Sequence, residues 1–149
     1  MSTDIDYLNR ALHLAAHAAS QGEVPIGAVV VLDNKIIGEG WNQPIAANDP
    51  TAHAEIIALR EAAHTVGNYR LLNTTLYVTL EPCLMCAGAM VHARIKRLCF
   101  GAYDPKAGAI VSVVQALDIP KLNHRVAHSG GTLSDQCGEI LSQFFRERR

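Results

Sequence analysis

Residues 75–101 read TLYVTLEPCLMCAGAMVHARIKRLCFG. Thr75–Leu80 is rich in β-branched and aromatic residues and is predicted as a strand. Glu81-Pro82 ends it, because proline has no N–H to give a sheet ladder. Cys83–Ala93 is predicted as a helix and Arg97–Gly101 as a second short strand. Strand, helix and strand in that order form a crossover unit in which the two strands run parallel. Upstream, Ile26–Leu32 is β-rich, Asp33-Asn34 is a two-residue turn and Lys35–Trp41 returns, which makes a hairpin. Asn42–Pro50, with Pro44, Pro50, Asn42, Asn48 and Asp49, is read as a loop, and Thr51–His64 as a helix with Ile56, Leu59 and Ala63 on one side.

The ends complete the pattern. Apolar residues from Ile5 to Ala19 recur at helical spacing, and Thr3 with Asp6 three residues later is a helix-start signal. The last third predicts a loop at Tyr103–Gly108, a short helix near Val113–Leu117, an extended piece at Arg125–His128 and a final helix from Ser134 to Arg148, with Ser134 as its N-cap. Strands and helices alternate from Ile26 to Gly101. The class is therefore α/β with a mixed central sheet, and residues 1–149 read as a single domain with no repeat or linker.

Composition narrows the function classes. The chain has 149 residues, 49% hydrophobic and 18% charged, which suits one folded domain and not a disordered segment. Lys+Arg of 13 against Asp+Glu of 14 gives a net charge of −1, which excludes a polycationic nucleic-acid coat. The longest apolar run, Ile26–Leu32, falls far short of the roughly 20 residues that span a bilayer, and no export pattern opens the chain. A cytoplasmic protein with no membrane partner is expected. Its four cysteines, Cys83, Cys86, Cys99 and Cys137, are too few for a disulfide scaffold and should be reduced.

Three short segments carry chemistry: His53-Ala54-Glu55, Pro82-Cys83 and Cys83-x-x-Cys86. One imidazole and two thiolates suit Zn²⁺ and leave the fourth tetrahedral position open, as catalytic zinc sites do. Cys83 and Cys86 share one face of a helix's first turn, where the dipole favours thiolate. Glu55 lies about 200° round a helix from His53, so it is better placed beside a metal-activated water than on the metal. There it can move protons, which makes Glu55 the candidate catalytic residue.

His-x-Glu followed by Pro-Cys-x-x-Cys is the signature of zinc-dependent nucleobase deaminases. Around it, residues 51–56, 79–95 and 100–108, with 23–28 and 123–126, resemble the bacterial tRNA-specific adenosine deaminases over nearly the whole chain. The resemblance implies a three-layer α/β/α cytidine-deaminase-like fold, one zinc per subunit, a homodimer, and a tRNA anticodon stem-loop as substrate. The wobble adenosine would become inosine by attack at C6 and loss of ammonia. It also implies His53, Cys83 and Cys86 as ligands, Glu55 as proton shuttle, and a base pocket formed by Val24, Asn42 and the backbone of Ala54. Asp104, Lys106, Asn123, Phe145 and Arg149 would approach the anticodon loop. One departure is Ala93, where the family pattern has a hydroxyl-bearing residue.

Two rivals remain open to the sequence. A deaminase of a free base, nucleoside or nucleotide, of guanine or cytidine type, would use the same metal chemistry. A non-catalytic zinc-stabilised RNA-binding module would need a fourth protein ligand, for which Cys99, Cys137, His92 and His124 are the candidates. Glu81 reads as a helix-start carboxylate near the dipole. Arg94, Lys96 and Arg97, with Arg146, Arg148 and Arg149, form two small basic groups that could meet phosphates. Phe144-Phe145 reads as one core anchor and one exposed ring suited to stacking on a base.

Overall fold

A computed structural model describes residues 2–148. Helix α1 (Asp4–Ser20) starts where the sequence predicts, with Thr3 and Asp6 in a reciprocal capping box. Strands β1 (Gly27–Leu32) and β2 (Lys35–Trp41) form the hairpin. Its turn residues Asp33 and Asn34 both have positive φ, the backbone that lets a two-residue turn follow the twist of its strands. Asn42–Pro50, read as a loop, contains a single helical turn, α2 (Pro44–Ala47), with proline at its start.

Helix α3 (Ala54–Val66) begins three residues later than Thr51, with His53 as its N-cap. Strand β3 (Thr75–Leu80), helix α4 (Leu84–Ala93) and strand β4 (Arg97–Ala102) form the expected crossover. The short helix expected near 113–117 is a 3₁₀ turn at Ala116–Asp118, and the extended piece becomes β5 (Ala127–Gly130). Helix α5 spans Ser134–Arg146. Its N-cap is Leu133 in the left-handed region, not Ser134, and no side chain caps it.

The sheet order is β2-β1-β3-β4-β5. β1 is antiparallel to both neighbours, while β3–β4 and β4–β5 are parallel, so the sheet is mixed. Side chains alternate across it. Ala28, Val30, Leu76, Val78, Leu98 and Phe100 face one core with residues of α3 and α4, whereas Val29, Val31, Tyr77 and Cys99 face Tyr7, Leu8, Ala11 and Leu14 of α1. Helix α5 lies beside α1, and together the layers are α/β/α. A fully buried Leu, Val or Phe in these cores contributes roughly 1.5–3 kcal/mol.

Glycines set how closely α3 approaches. A Cβ on Gly40 would stand 2.3 Å from the Ala54 carbonyl oxygen, and one on Gly38 would stand 2.3 Å from that of Ala58. Ala54, Ala58 and Ala62 answer them on the helix, so backbone meets backbone. That contact brings the first turn of α3 down onto the sheet beside α4.

Candidate functional site

Both helices that face the sheet on the α3/α4 side begin at a potential ligand. His53 and Cys83 are the N-caps of α3 and α4, each with extended backbone, and neither side chain makes the hydrogen bond that usually closes a helix start. The side chains are directed at one another instead. His53 Nδ1 lies 3.6 Å from Cys83 Sγ and 3.6 Å from Cys86 Sγ. All three donor atoms fall within 4.8 Å of one another, and this is the group among the described residues that could hold a metal ion.

The spacing can be tested against zinc. With Zn–N of about 2.0–2.1 Å, Zn–S of about 2.3 Å and tetrahedral angles, nitrogen and sulfur ligands stand about 3.5 Å apart. The observed 3.6 Å fits one ion at the centre of the triangle. The other four candidates lie outside this group. Cys99 and Cys137 are fully buried in the cores, and the Cys99 thiol faces the Thr132 hydroxyl. His124 Nε2 is committed to the Ile95 carbonyl at 2.6 Å, and His92 lies on an exposed part of α4.

Glu55 sits in the first turn of α3 and is 4% exposed. It stands outside the ligand triangle, beside His53 in the first turn of α3. Burial pushes its carboxyl up to about 7, and the negative charge of Cys83 adds to the rise against its own N–H, His53 and Cys86. A carboxyl poised there exchanges protons readily near neutral pH. The Cys83 thiol is held down to about 5, first by the hydrogen bond from Cys86 and then by the Cys86 backbone N–H and His53, against the cost of burial. Cys86 is pushed up because it is the donor in that pair and is buried.

The walls beside the triangle are also specified. Asn42 is buried, and its Oδ1 accepts the Ala54 backbone N–H at 3.0 Å, tying the end of β2 to the first turn of α3. The Ala54 amide is thereby committed, so a substrate at that backbone would share or displace the bond. Val24 is half-buried beside Glu23. The Glu23 carboxylate accepts the amides of Ile45 and Ala46 at 3.2 and 2.8 Å, and this is what holds α2 against the loop.

The expected RNA-facing residues are dispersed. Asp104 Oδ1 accepts the amides of Lys106 and Ala107, so its carboxylate shapes its own turn, and Lys106 extends into solvent. Asn123 Oδ1 accepts from Arg94 Nη1 at 2.8 Å. Phe144 is buried with Arg148 over its ring, whereas Phe145 is 51% exposed. Arg149 lies outside the described residues.

Two sequence readings are corrected. Arg97 is not a free cation: its guanidinium makes paired bonds to Asp4 at 2.9 and 2.7 Å, pinning α1 to β4. Glu81 is not a helix-start carboxylate, since its oxygens accept from residues 104–112 and from none of the first amides of α4. Neither Glu23 nor Glu81 shows a spacing signal for its loop-holding contacts, because their partners are backbone amides distant in the chain.

A family model for MafB19-like deaminases matches residues 2–149. A tRNA-specific adenosine deaminase of Haemophilus influenzae is 56% identical over 147 residues, covering 98% of this chain and 85% of that protein. One from Bacillus subtilis is 43% identical, covering 100% of this chain and 92% of its own. A solved structure from a study of A-to-I editing by tRNA:A34 deaminases at the wobble position superposes with a TM-score of 0.88 at 45% identity, over 91% of this chain and 98% of that one.

Proposed function

The chain belongs to the tRNA-specific adenosine deaminases, within the MafB19-like deaminase family, and on that premise we propose that it hydrolyses adenosine to inosine at the wobble position of a tRNA anticodon. The observation that carries the reading is the His53–Cys83–Cys86 triangle, with its 3.6 Å nitrogen–sulfur spacings and a buried carboxyl at its side. His53, Cys83 and Cys86 are assigned as ligands of one zinc ion. When bound, zinc supplies Lewis acidity that makes water a nucleophile near neutral pH. Three protein ligands leave a fourth position for that water, which the non-catalytic module would not need.

Glu55 handles the protons. It accepts one from the attacking water and delivers it to N1 of adenine, then takes the proton of the new C6 hydroxyl and gives it to the exocyclic amine, which leaves as ammonia as the C6 carbonyl of inosine forms. A carboxyl raised by burial can do both at one pH, because neither of its forms is strongly favoured. Asn42 and Val24 line the base, with the Ala54 backbone beneath. An anticodon loop presents its bases unpaired, so moving one into a buried pocket costs less than opening a duplex. Lys106, Phe145, Asn123, Asp104 and Arg149 are assigned to the loop around that base.

The chain acts as one domain and as a homodimer in this reading. An apolar groove between α3 and α4, lined by Ile56, Leu59, Ala63, Ala89 and Ala93 with exposed Tyr69, supports a self-association face and includes none of the metal ligands. Among the described residues no helix is long and apolar enough to cross a membrane, and a tRNA substrate places the work in the cytoplasm. The deciding test is purified protein on synthetic anticodon stem-loops with A or C at the wobble position. Inosine from A, with C untouched, is expected. Turnover of free guanine or cytidine but not of the stem-loop would replace this reading with a nucleobase or nucleoside deaminase.

A further inference from the structure

Glu81 stands two residues before the first thiol ligand, yet its carboxylate serves a different part of the chain. It is 2% exposed. Its Oε1 accepts the Asp104 amide at 3.0 Å and the Ser112 hydroxyl, while Oε2 accepts the amides of Ile110, Val111 and Ser112 at 3.1, 2.8 and 2.9 Å. All five donors come from the segment that follows β4. The backbone closes the same loop from outside: the Ala109 N–H meets the Pro82 carbonyl at 2.8 Å, and Gly108 N–H meets Asp104 at 2.9 Å. A Cβ on Gly108 would lie 2.4 Å from the Glu81 carboxyl carbon, so the wrapping requires glycine there.

This arrangement has a direction. The segment spends the amides of Asp104, Ile110, Val111 and Ser112 on one carboxylate and buries Ala109 and Ile110 in the core, while Lys106 lies in solvent and Tyr103, Val111 and Val113 are 48%, 38% and 51% exposed. An unpaired buried carboxylate would be costly, and so would four orphaned amides, so carboxylate and segment hold one another in a single conformation. The outward row is a cation with aromatic and aliphatic surface, the combination that receives phosphate and unstacked bases of single-stranded RNA. It is joined by Pro82 directly to the N-terminus of α4, which carries Cys83 and Cys86.

Resting on the deaminase reading, we propose that Glu81 is a positioning residue for RNA recognition: its carboxylate fixes residues 104–112 as a rigid platform that meets the anticodon loop flanking the reacting base. It touches neither the base nor the metal ligands. Its loss therefore acts on binding of the RNA before it acts on the chemical step.

Zinc-loaded wild type, Glu81→Gln and Ser112→Ala are compared in steady state on the wobble-A stem-loop, with zinc content and amide hydrogen exchange measured on the same samples. Glutamine keeps the size but points an NH₂ at N–H donors. The amides of Ile110, Val111 and Ser112 should exchange at least about tenfold faster and KM should rise about tenfold, with kcat within about threefold and zinc at one per chain. Ser112→Ala removes one donor of the five, keeps the charge, and should raise KM by about threefold. If Glu81→Gln does not fold, Ser112→Ala carries the test by the same KM and exchange readouts. An unmoved KM overturns the proposal, as does a fall in kcat alone or a loss of zinc, either of which would put Glu81 in the metal helix's service. Wild-type protein that makes no inosine overturns the reaction reading and this role with it, whereas active wild type with unshifted variants overturns this role alone.

Discussion

At the scale of single residues the proposed reaction divides the site into groups that would hold and one group that would transfer. His53, Cys83 and Cys86 are donor residues at or next to helix starts, and Glu55 is an acidic side chain buried beside His53 in the first turn of α3. Glu55→Gln keeps the shape and removes the exchangeable proton. It should retain one zinc per chain and lose inosine formation by about 10²–10⁴-fold in kcat, read by single-turnover assay beside metal analysis. A glutamine variant with wild-type kcat would remove Glu55 from the chemistry. The grouping of His53, Cys83 and Cys86 was legible in the sequence because metal ligation demands particular atoms at short fixed spacings, and Glu55 was singled out with them by its place two residues after His53. Glu23 and Glu81 were not, because a carboxylate that cradles backbone amides leaves no pattern in the residues it touches.

At the scale of elements, the site depends on how far α3 is allowed to descend. Gly40 faces the Ala54 carbonyl, one residue from both His53 and Glu55. Gly40→Ala would force the first turn of α3 off the sheet. The expected result is a fall in stability of about 1–3 kcal/mol, by analogy with overpacked cores, together with weaker zinc retention in competition with a chelator. Gly22→Ala, where a Cβ meets nothing within 4 Å but φ is +79°, is the control, since it strains a turn without moving α3. The hairpin, both crossover strands and the long helices were readable from periodicity and turn chemistry. The α2 turn was not, because four residues cannot sustain a helix alone and Glu23 supplies the missing amide partners. β5 lies two residues beyond its expected position because pairing of Ala127 with Arg97 sets its register. Leu133 caps α5 in the left-handed region, against the local preference of its own side chain.

For the whole molecule, two ion pairs tie the N-terminal helix to the sheet, Arg10 with Glu39 of β2 and Asp4 with Arg97 of β4. Arg97 and the Tyr77 hydroxyl both bond Asp4, and the Arg97 hydrogen bonds hold its carboxyl below the usual range against the opposing effect of burial. A lowered folded value means that the stability from this pair is complete above the ordinary carboxylate range. It is lost as pH falls through that range to the folded value. Thermal midpoints of wild type and Asp4→Asn should therefore differ at pH 7 and draw together as the pH falls below the ordinary carboxylate range; a constant gap would show that the charge contributes nothing. Metal and fold are linked at the same scale. His53 and Cys83 occupy two N-caps without performing the ordinary capping bond, so on the proposed zinc assignment an ion that fastened them would close both helix starts at once. By mass action each tenfold rise in free zinc above its dissociation constant adds about 1.4 kcal/mol to the folded state. On that assignment the supply of a trace element would become a variable of protein lifetime: a zinc-starved cell would lose this enzyme to proteolysis as well as to inactivity.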